Sequence, residues 1–113
     1  MPTITLRIKF EPKGHIGHGK VELLEQIAAF GSISAGARKM NMSYKRAWDL
    51  VEEMNAIFGK PMLETQKGGP GGGGAQLTQT GLAVISRYRA IERATEAAAA
   101  PHIAALVAEI ERK

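Results

Sequence analysis

The stretch Lys67-Gly68-Gly69-Pro70-Gly71-Gly72-Gly73-Gly74-Ala75 decides how the rest of the chain is read. Taken alone, six glycines in nine residues describe a flexible linker. Its neighbours change that reading. Two short extended runs, residues 61–66 and 76–78, flank it, and two helical patterns joined by a tight turn precede it. A glycine-rich tip between two strands, placed after a helix-turn-helix, describes a wing. The expected fold class is therefore α+β: a winged helix-turn-helix with an N-terminal strand, a glycine-rich wing hairpin and C-terminal helices.

The second of the two helical patterns, residues 44–58, places Ala47, Leu50, Val51, Met54, Ile57 and Phe58 on one broad stripe. Lys45, Asp49 and Glu52 fall opposite, with Arg46 and Glu53 at the edge. Ser43 is its natural cap and Gly59 its stop. The shorter first pattern, capped by Ser32 or Ser34, runs to about residue 40 with Ile33, Ala37 and Met40 inward. Asn41-Met42-Ser43 forms the turn. Before it, residues 20–30 bring Val21, Leu24, Ile27, Ala28 and Phe30 near one helical face, closed by Gly31.

Residues 3–10 alternate strictly, Ile4, Leu6, Ile8 and Phe10 against Thr3, Thr5, Arg7 and Lys9, which predicts a half-buried strand. Residues 11–19, with Pro12, Gly14, Gly17 and Gly19, are expected as a loop. Downstream, Thr80 caps a helix from Gly81 into the alanine run 97–100. Pro101 either interrupts that helix or opens a fifth. Ile103, Leu106, Val107 and Ile110 then form a narrow apolar seam.

Bulk properties narrow the function class. The chain has 113 residues, 44% hydrophobic and 23% charged, which suits one globular domain with a modest core. It contains no cysteine, which excludes disulfides, thiolate zinc sites and cysteine nucleophiles. The run between Lys67 and Arg87 lacks charge but is glycine-rich and polar, so no membrane span is expected. Residues 1–10 do not form a signal-peptide core, so the chain is expected to stay in the cytoplasm. The formal charge is +4. Residues 1–50 hold eight basic and four acidic residues, whereas residues 51–113 hold seven of each. The excess therefore lies in the half that carries the helix pair, where a polyanion would bind.

Ser43, Tyr44, Lys45 and Arg46 set a hydroxyl, a phenol and two cations at a helix N-terminus, groups that suit phosphate oxygens and base edges. With Ser32 and Ser34 at the preceding helix start, Asp49 one turn on and Lys67 beside the tip, they make the candidate DNA-facing set. Asp49, Glu52 and Glu53 would repel a close backbone, so only the N-terminal end of this helix should approach DNA. Tyr44 and Trp48 stand one turn apart at the border of the apolar stripe. Base stacking and core-edge packing with a bonded indole N–H are both open readings.

The glycine run fails as a P-loop because no lysine follows it, and fails as a dinucleotide fingerprint for want of a strand-turn-helix around it. His15 and His18 have the spacing of two metal ligands, yet a solvated loop is the simpler reading. No catalytic residue, metal or cofactor is assigned, and the chain is not read as an enzyme.

Gly31-Ser32-Ile33-Ser34-Ala35-Gly36-Ala37, Ser43-Tyr44-Lys45-Arg46-Ala47-Trp48-Asp49, Glu53-Met54-Asn55, the 68–75 run, Leu77-Thr78 and Gly81 together resemble the N-terminal winged-helix domain of the ModE family. These are molybdate-responsive transcriptional regulators whose DNA-binding part is similar to that of LysR-type regulators. The resemblance covers residues 31–82 in order and spacing. It implies a homodimeric regulator that binds double-stranded DNA, with the wing on DNA and helices outside the reading unit forming the dimer. Oxyanion-binding domains follow this module in the family, whereas the present sequence ends at Lys113, so molybdate binding by this chain is not expected. Pro70 also stands where the family can place a basic residue.

The sequence thus predicts one domain over residues 1–113, with a DNA-reading core at 20–82 and dimerising C-terminal helices at 83–113. The rival reading is a protein-interaction module that uses the wing and C-terminal helix without DNA. A small oxyanion-binding protein is a third.

Overall fold

The computed structural model describes residues 2–69 and 72–113, with side chains described outside 67–69 and 72. Strand β1 (Arg7–Phe10) pairs antiparallel with β2 (Gly14–Gly17), and helix α1 (His18–Phe30) follows without a break. Helices α2 (Ile33–Lys39) and α3 (Tyr44–Phe58) lead into a second antiparallel hairpin, β3 (Leu63–Gly69) and β4 (Gly72–Leu77). A single long helix, α4 (Gln79–Glu111), closes the chain. This is the expected α+β winged helix-turn-helix.

Two corrections concern the N-terminus. The strand expected over residues 3–10 is confined to β1, because its partner has only four residues and turns into α1 at His18. The expected loop 11–19 contains that partner. Ile16 is its one apolar residue; it lies opposite Ile8 and is buried. Helix α1 starts at His18 rather than Lys20 and buries Lys20, Val21, Leu23, Leu24 and Ile27. Ala28 and Phe30, expected inward, are exposed, Phe30 by 53%.

The buried Lys20 is a polar tie between three elements. Its ammonium donates to the His15 carbonyl at 2.8 Å and pairs with Glu53 of α3 at 2.8 Å. A buried cation without such partners would be strongly unfavourable.

Helices α1 and α2 meet at Gly36. A Cβ there would stand 2.6 Å from Ile27 Cγ1, 2.9 Å from its backbone N and 3.0 Å from its Cα. Between α2 and α3 the chain reverses through a Schellman turn: Met42 N–H donates to Ala37 O at 3.0 Å and Asn41 N–H to Arg38 O at 3.1 Å. Asn41 takes the left-handed conformation, with φ 56°, which asparagine tolerates. Helix α3 has the predicted bounds, capped by Ser43 and ended at Gly59. Its buried stripe is Ala47, Leu50, Val51, Met54 and Ile57, with Phe58 half-buried and edge-on to Phe10.

The wing is held at its root. Asn55 accepts the Met62 N–H at 2.8 Å, and Thr78 N–H donates to Met62 O at 3.0 Å. Thr78, not Thr80, caps α4 by accepting from Gly81 N. Its hydroxyl also reaches the Pro61 carbonyl at 2.7 Å, so the earlier threonine both caps the helix and ties β3 to it. Both wing strands run further than expected, because glycines 69 and 72 pair through their backbones. The tip residues Pro70 and Gly71 lie outside the described residues.

Pro101 neither breaks α4 nor starts another helix. The missing N–H would have met the Ala97 carbonyl; Ala97 is exposed, so water can bond that carbonyl, and alanines crowd the proline ring least. Helix α4 is fastened by Tyr88, whose hydroxyl donates to Leu6 O at 2.8 Å, and by Arg89, which forks onto Glu25 of α1 at 2.6 and 3.0 Å. That guanidinium holds the Glu25 carboxyl below its ordinary range. Beyond Tyr88 the helix buries no residue. The radius of gyration is 17.2 Å, against roughly 13 Å for a compact chain of this length.

Gly36 offers a test of the α1–α2 contact. Alanine is favoured over glycine inside a helix by about 1 kcal/mol, while overpacking costs about 1–3 kcal/mol. Two of the atoms a methyl would meet belong to the Ile27 backbone, which no rotamer change can clear. Gly36→Ala is therefore expected to lower the urea midpoint of unfolding. A raised midpoint would contradict so close an approach.

Candidate nucleic-acid interface

Successive residues of an α-helix are 100° apart, so the first two turns of α3 present three different aspects. Tyr44 and Trp48 lie on one flank, Arg46 and Leu50 on the other, and Lys45 and Asp49 between them. The structure gives each flank its own groove.

The first groove, of about 530 Å³, lies between α3 and the wing. One wall is Tyr44 and Trp48, the other Thr65, Gln66 and residues 73–75, and Ser32 to Ser34 form the end. The wall positions are fixed by a backbone bond: Ala75 N–H donates to Gly31 O at 2.8 Å, so the wing is fastened to the α1–α2 turn.

The α2 N-terminus forms the end of this groove, and the α3 N-terminus adjoins it at Tyr44. Ser32 Oγ accepts from Ala35 N at 3.1 Å and Ser43 Oγ from Arg46 N at 3.0 Å. Ser34, the alternative cap, is exposed and makes no side-chain hydrogen bond among the described residues. Neither helix has an acidic residue in its first turn, so no carboxylate offsets the partial positive charge of either end. Such ends accept phosphate oxygens.

Tyr44 is 52% exposed and stands edge-on to Trp48, with ring centroids 6.5 Å apart. The indole Nε1–H donates to the Tyr44 hydroxyl oxygen at 2.6 Å. Trp48 is half-buried with its N–H bonded, as the packing reading expects, while Tyr44 lines the groove. Because the phenol oxygen accepts from the indole, its own proton is left to donate to an acceptor in the groove.

Lys45 pairs with Asp49 at 3.2 Å across one turn, with both side chains well exposed. Arg46 is exposed and has no carboxylate partner among the described residues. The acids expected to repel DNA are largely accounted for: Asp49 by Lys45 and Glu53 by Lys20, leaving Glu52 beside Asn55 at 3.4 Å. Lys67 lies on β3, and its side chain is outside the described residues.

Of the sequence-predicted set, Ser32, Ser34 and Tyr44 line the wing groove. Ser43, Lys45, Arg46 and Asp49 form the adjoining tip of α3. Sequence reasoning missed the opposite groove wall, Thr65 and Gln66, because nothing in their local pattern distinguishes them from other strand residues. It also missed the second groove, of about 480 Å³, where Arg46 meets Arg7 and His15 of the β1–β2 hairpin. The alternation that set Arg7 on the polar face of a strand was its only signal.

The site offers hydroxyls, an amide, a phenol and cations around an open groove. No group of three or more His, Asp or Glu residues able to hold a metal occurs among the described residues. No helix among them is long and apolar enough to cross a membrane.

Residues 19–82 match the family model of bacterial regulatory helix-turn-helix proteins of the lysR family. The chain is 42% identical over 85 residues to the DNA-binding transcriptional dual regulator ModE of Escherichia coli, covering 75% of this chain and 32% of that protein. Over 93 residues it is 40% identical to the transcriptional regulator ModE of Haemophilus influenzae, 82% of this chain and 36% of the relative. Over 77 residues it is 47% identical to the molybdenum-pterin-binding protein MopB of Rhodobacter capsulatus, 68% of this chain and 28% of the relative. The chain thus spans about a third of the length of these relatives.

Proposed function

The chain belongs to the lysR family of bacterial regulatory helix-turn-helix proteins, and from that membership we propose that it binds double-stranded DNA sequence-specifically, as a homodimer, to regulate molybdate-related genes. The observation that carries the reading is convergence. The α2 N-terminus, the exposed Tyr44 phenol at the α3 N-terminus and the wing edge all line one groove of about 530 Å³ beside the α3 tip. In this reading the α3 tip enters the major groove, with Lys45 and Arg46 at base edges, and the wing follows the sugar-phosphate backbone. The role is not enzymatic and belongs to the cytoplasm, where the chromosome is. The link to molybdenum rests on the names of the relatives; direct molybdate sensing by this chain is not proposed.

Dimerisation is proposed through the free half of α4. Leu106 is 65% exposed and Ile110 82%, on a stretch that buries nothing in its own domain. Beside it, Pro2 to Ile4 and the α4 residues Ala100, Ile103 and Val107 line a groove of about 650 Å³. One α3 tip makes too few contacts for tight operator binding, and a two-fold dimer reads paired half-sites one helical turn apart.

Four measurements test these statements. Titration of duplex DNA at increasing salt should give a log–log slope of roughly −4 to −5, from four to six phosphate contacts at about −0.9 each. Arg46→Ala should cost about 1–3 kcal/mol and relax preference at one base position. Affinity that is flat with salt, or absent, would overturn DNA binding and favour the protein-interaction reading. For the dimer, the double substitution Leu106→Glu and Ile110→Glu should leave circular dichroism unchanged and yield a monomer with most of its DNA affinity lost. A wild-type chain that sediments as a monomer at micromolar concentration would refute the dimer.

A further inference from the structure

The two flanks of α3 differ in what the relatives' wing explains. The wing covers the Tyr44 flank. The Arg46 flank faces the β1–β2 hairpin across the second groove, lined by Arg7, His15, Gly17, Lys20, Met42 and Arg46.

The hairpin face turned to this groove is positive. In the antiparallel register Lys9 stands opposite His15, and Arg7, two residues back, stands opposite Gly17. No carboxylate pairs with Arg7, Lys9 or Arg46 among the described residues. No carboxylate is among the residues that line the groove; the acids beside it are engaged, Glu53 by Lys20, and Glu22 and Glu92 by His18 at 3.1 and 3.9 Å. The His15 imidazole is held below its ordinary range, chiefly by the Lys20 ammonium and further by burial and Arg7, while Glu53 acts the other way. The groove is therefore short of negative charge.

Duplex geometry says what would supply it. The major groove is about 12 Å wide and an α-helix with its side chains about 10–12 Å across. A helix tip lying in that groove has one sugar-phosphate backbone on each flank. If the wing takes the backbone beside Tyr44, the other strand must pass beside Arg46, over the hairpin.

We propose that the β1–β2 hairpin is a second wing: with the α3 tip in the major groove and Arg46 at base edges, Arg7 and His15 hold phosphates of the strand opposite the one held by the β3–β4 wing. Gly19, at the start of α1, carries no side chain that would keep that backbone away, and a Cβ there would meet nothing within 4 Å. Arg7 and His15 contact phosphate and not bases, so they set affinity and register without reading sequence. The proposal rests on the DNA reading given above.

The test uses the duplex that the wild-type chain selects from a random pool. Arg7→Gln should weaken binding to every duplex alike, about five- to tenfold at moderate salt, and reduce the salt slope by about 1. Arg7→Lys, which keeps the charge, should restore the slope. Phosphate-ethylation interference should show blocked positions on both strands of each half-site for the wild type and lose those of one strand per half-site in Arg7→Gln. Arg7 is exposed and makes no hydrogen bond through its side chain among the described residues, so the fold should survive; His15→Gln, with the same expected direction, serves as the second variant. Wild-type slope and affinity in both variants, while Arg46→Ala still weakens binding, would overturn the second wing and leave the DNA reading intact. Absence of duplex binding by the wild type would overturn both.

Discussion

Everything that the α3 tip presents depends on how closely α1 and α2 approach at Gly36. With glycine there, the α2 backbone rests against the backbone and Cγ1 of Ile27, and no side chain of α2 intervenes. That contact sets where Ser32 and the α2 N-terminus lie relative to α1. The Schellman turn at Asn41 then carries the same placement into Ser43 and α3. The Gly31 carbonyl, at the other end of the α1–α2 turn, receives the wing through Ala75. Three separate parts of the interface are thus referred to one backbone contact. A shift of α2 by the width of a methyl group would move the α2 and α3 N-termini relative to the wing, which is fastened to the α1 cap at Gly31.

Electrostatics then decides which surface DNA can approach. The net charge is modest, and the acids of α3 would be a serious obstacle if they stood alone. They do not. Lys45 engages Asp49 at the surface, and the buried Lys20 draws Glu53 toward α1 and the hairpin. An exposed pair such as Lys45–Asp49 adds little to stability; its consequence is orientation, since it holds the ammonium along the helix until a stronger acceptor is offered. The Lys20–Glu53 pair has a structural role as well, because the same ammonium fastens the His15 carbonyl and with it the hairpin.

Much of this fold could be read from local pattern, and the failures have physical causes. Helix α3 was legible to its ends because its apolar stripe, the Ser43 cap and the Gly59 stop agree. Strand β2 was hidden in Gly-His-Ile-Gly, where a single apolar residue gives no period to detect. The burial of Lys20 depends on Glu53, thirty-three positions away, which no local window contains. The choice of Thr78 over Thr80 as cap was made by tertiary structure, since only Thr78 also reaches the Pro61 carbonyl. At the candidate interface, the α3 tip is a local grouping that the sequence displays directly, a phenol and two cations at a capped helix start. The facing walls, Thr65 and Gln66 on one side and Arg7 and His15 on the other, are assembled by folding alone.

The central claim is that the α2 and α3 N-termini and the wing edge form one DNA-facing surface, while the outer half of α4 is turned to another task. Amide chemical-shift mapping of the isotope-labelled chain with its selected duplex tests this most directly. The account predicts that the largest shifts fall at residues 32–35, 43–47 and 73–75, with little change along α4 beyond Tyr88. Shifts confined to α4 beyond Tyr88, with the α3 tip and the wing unmoved, would contradict it.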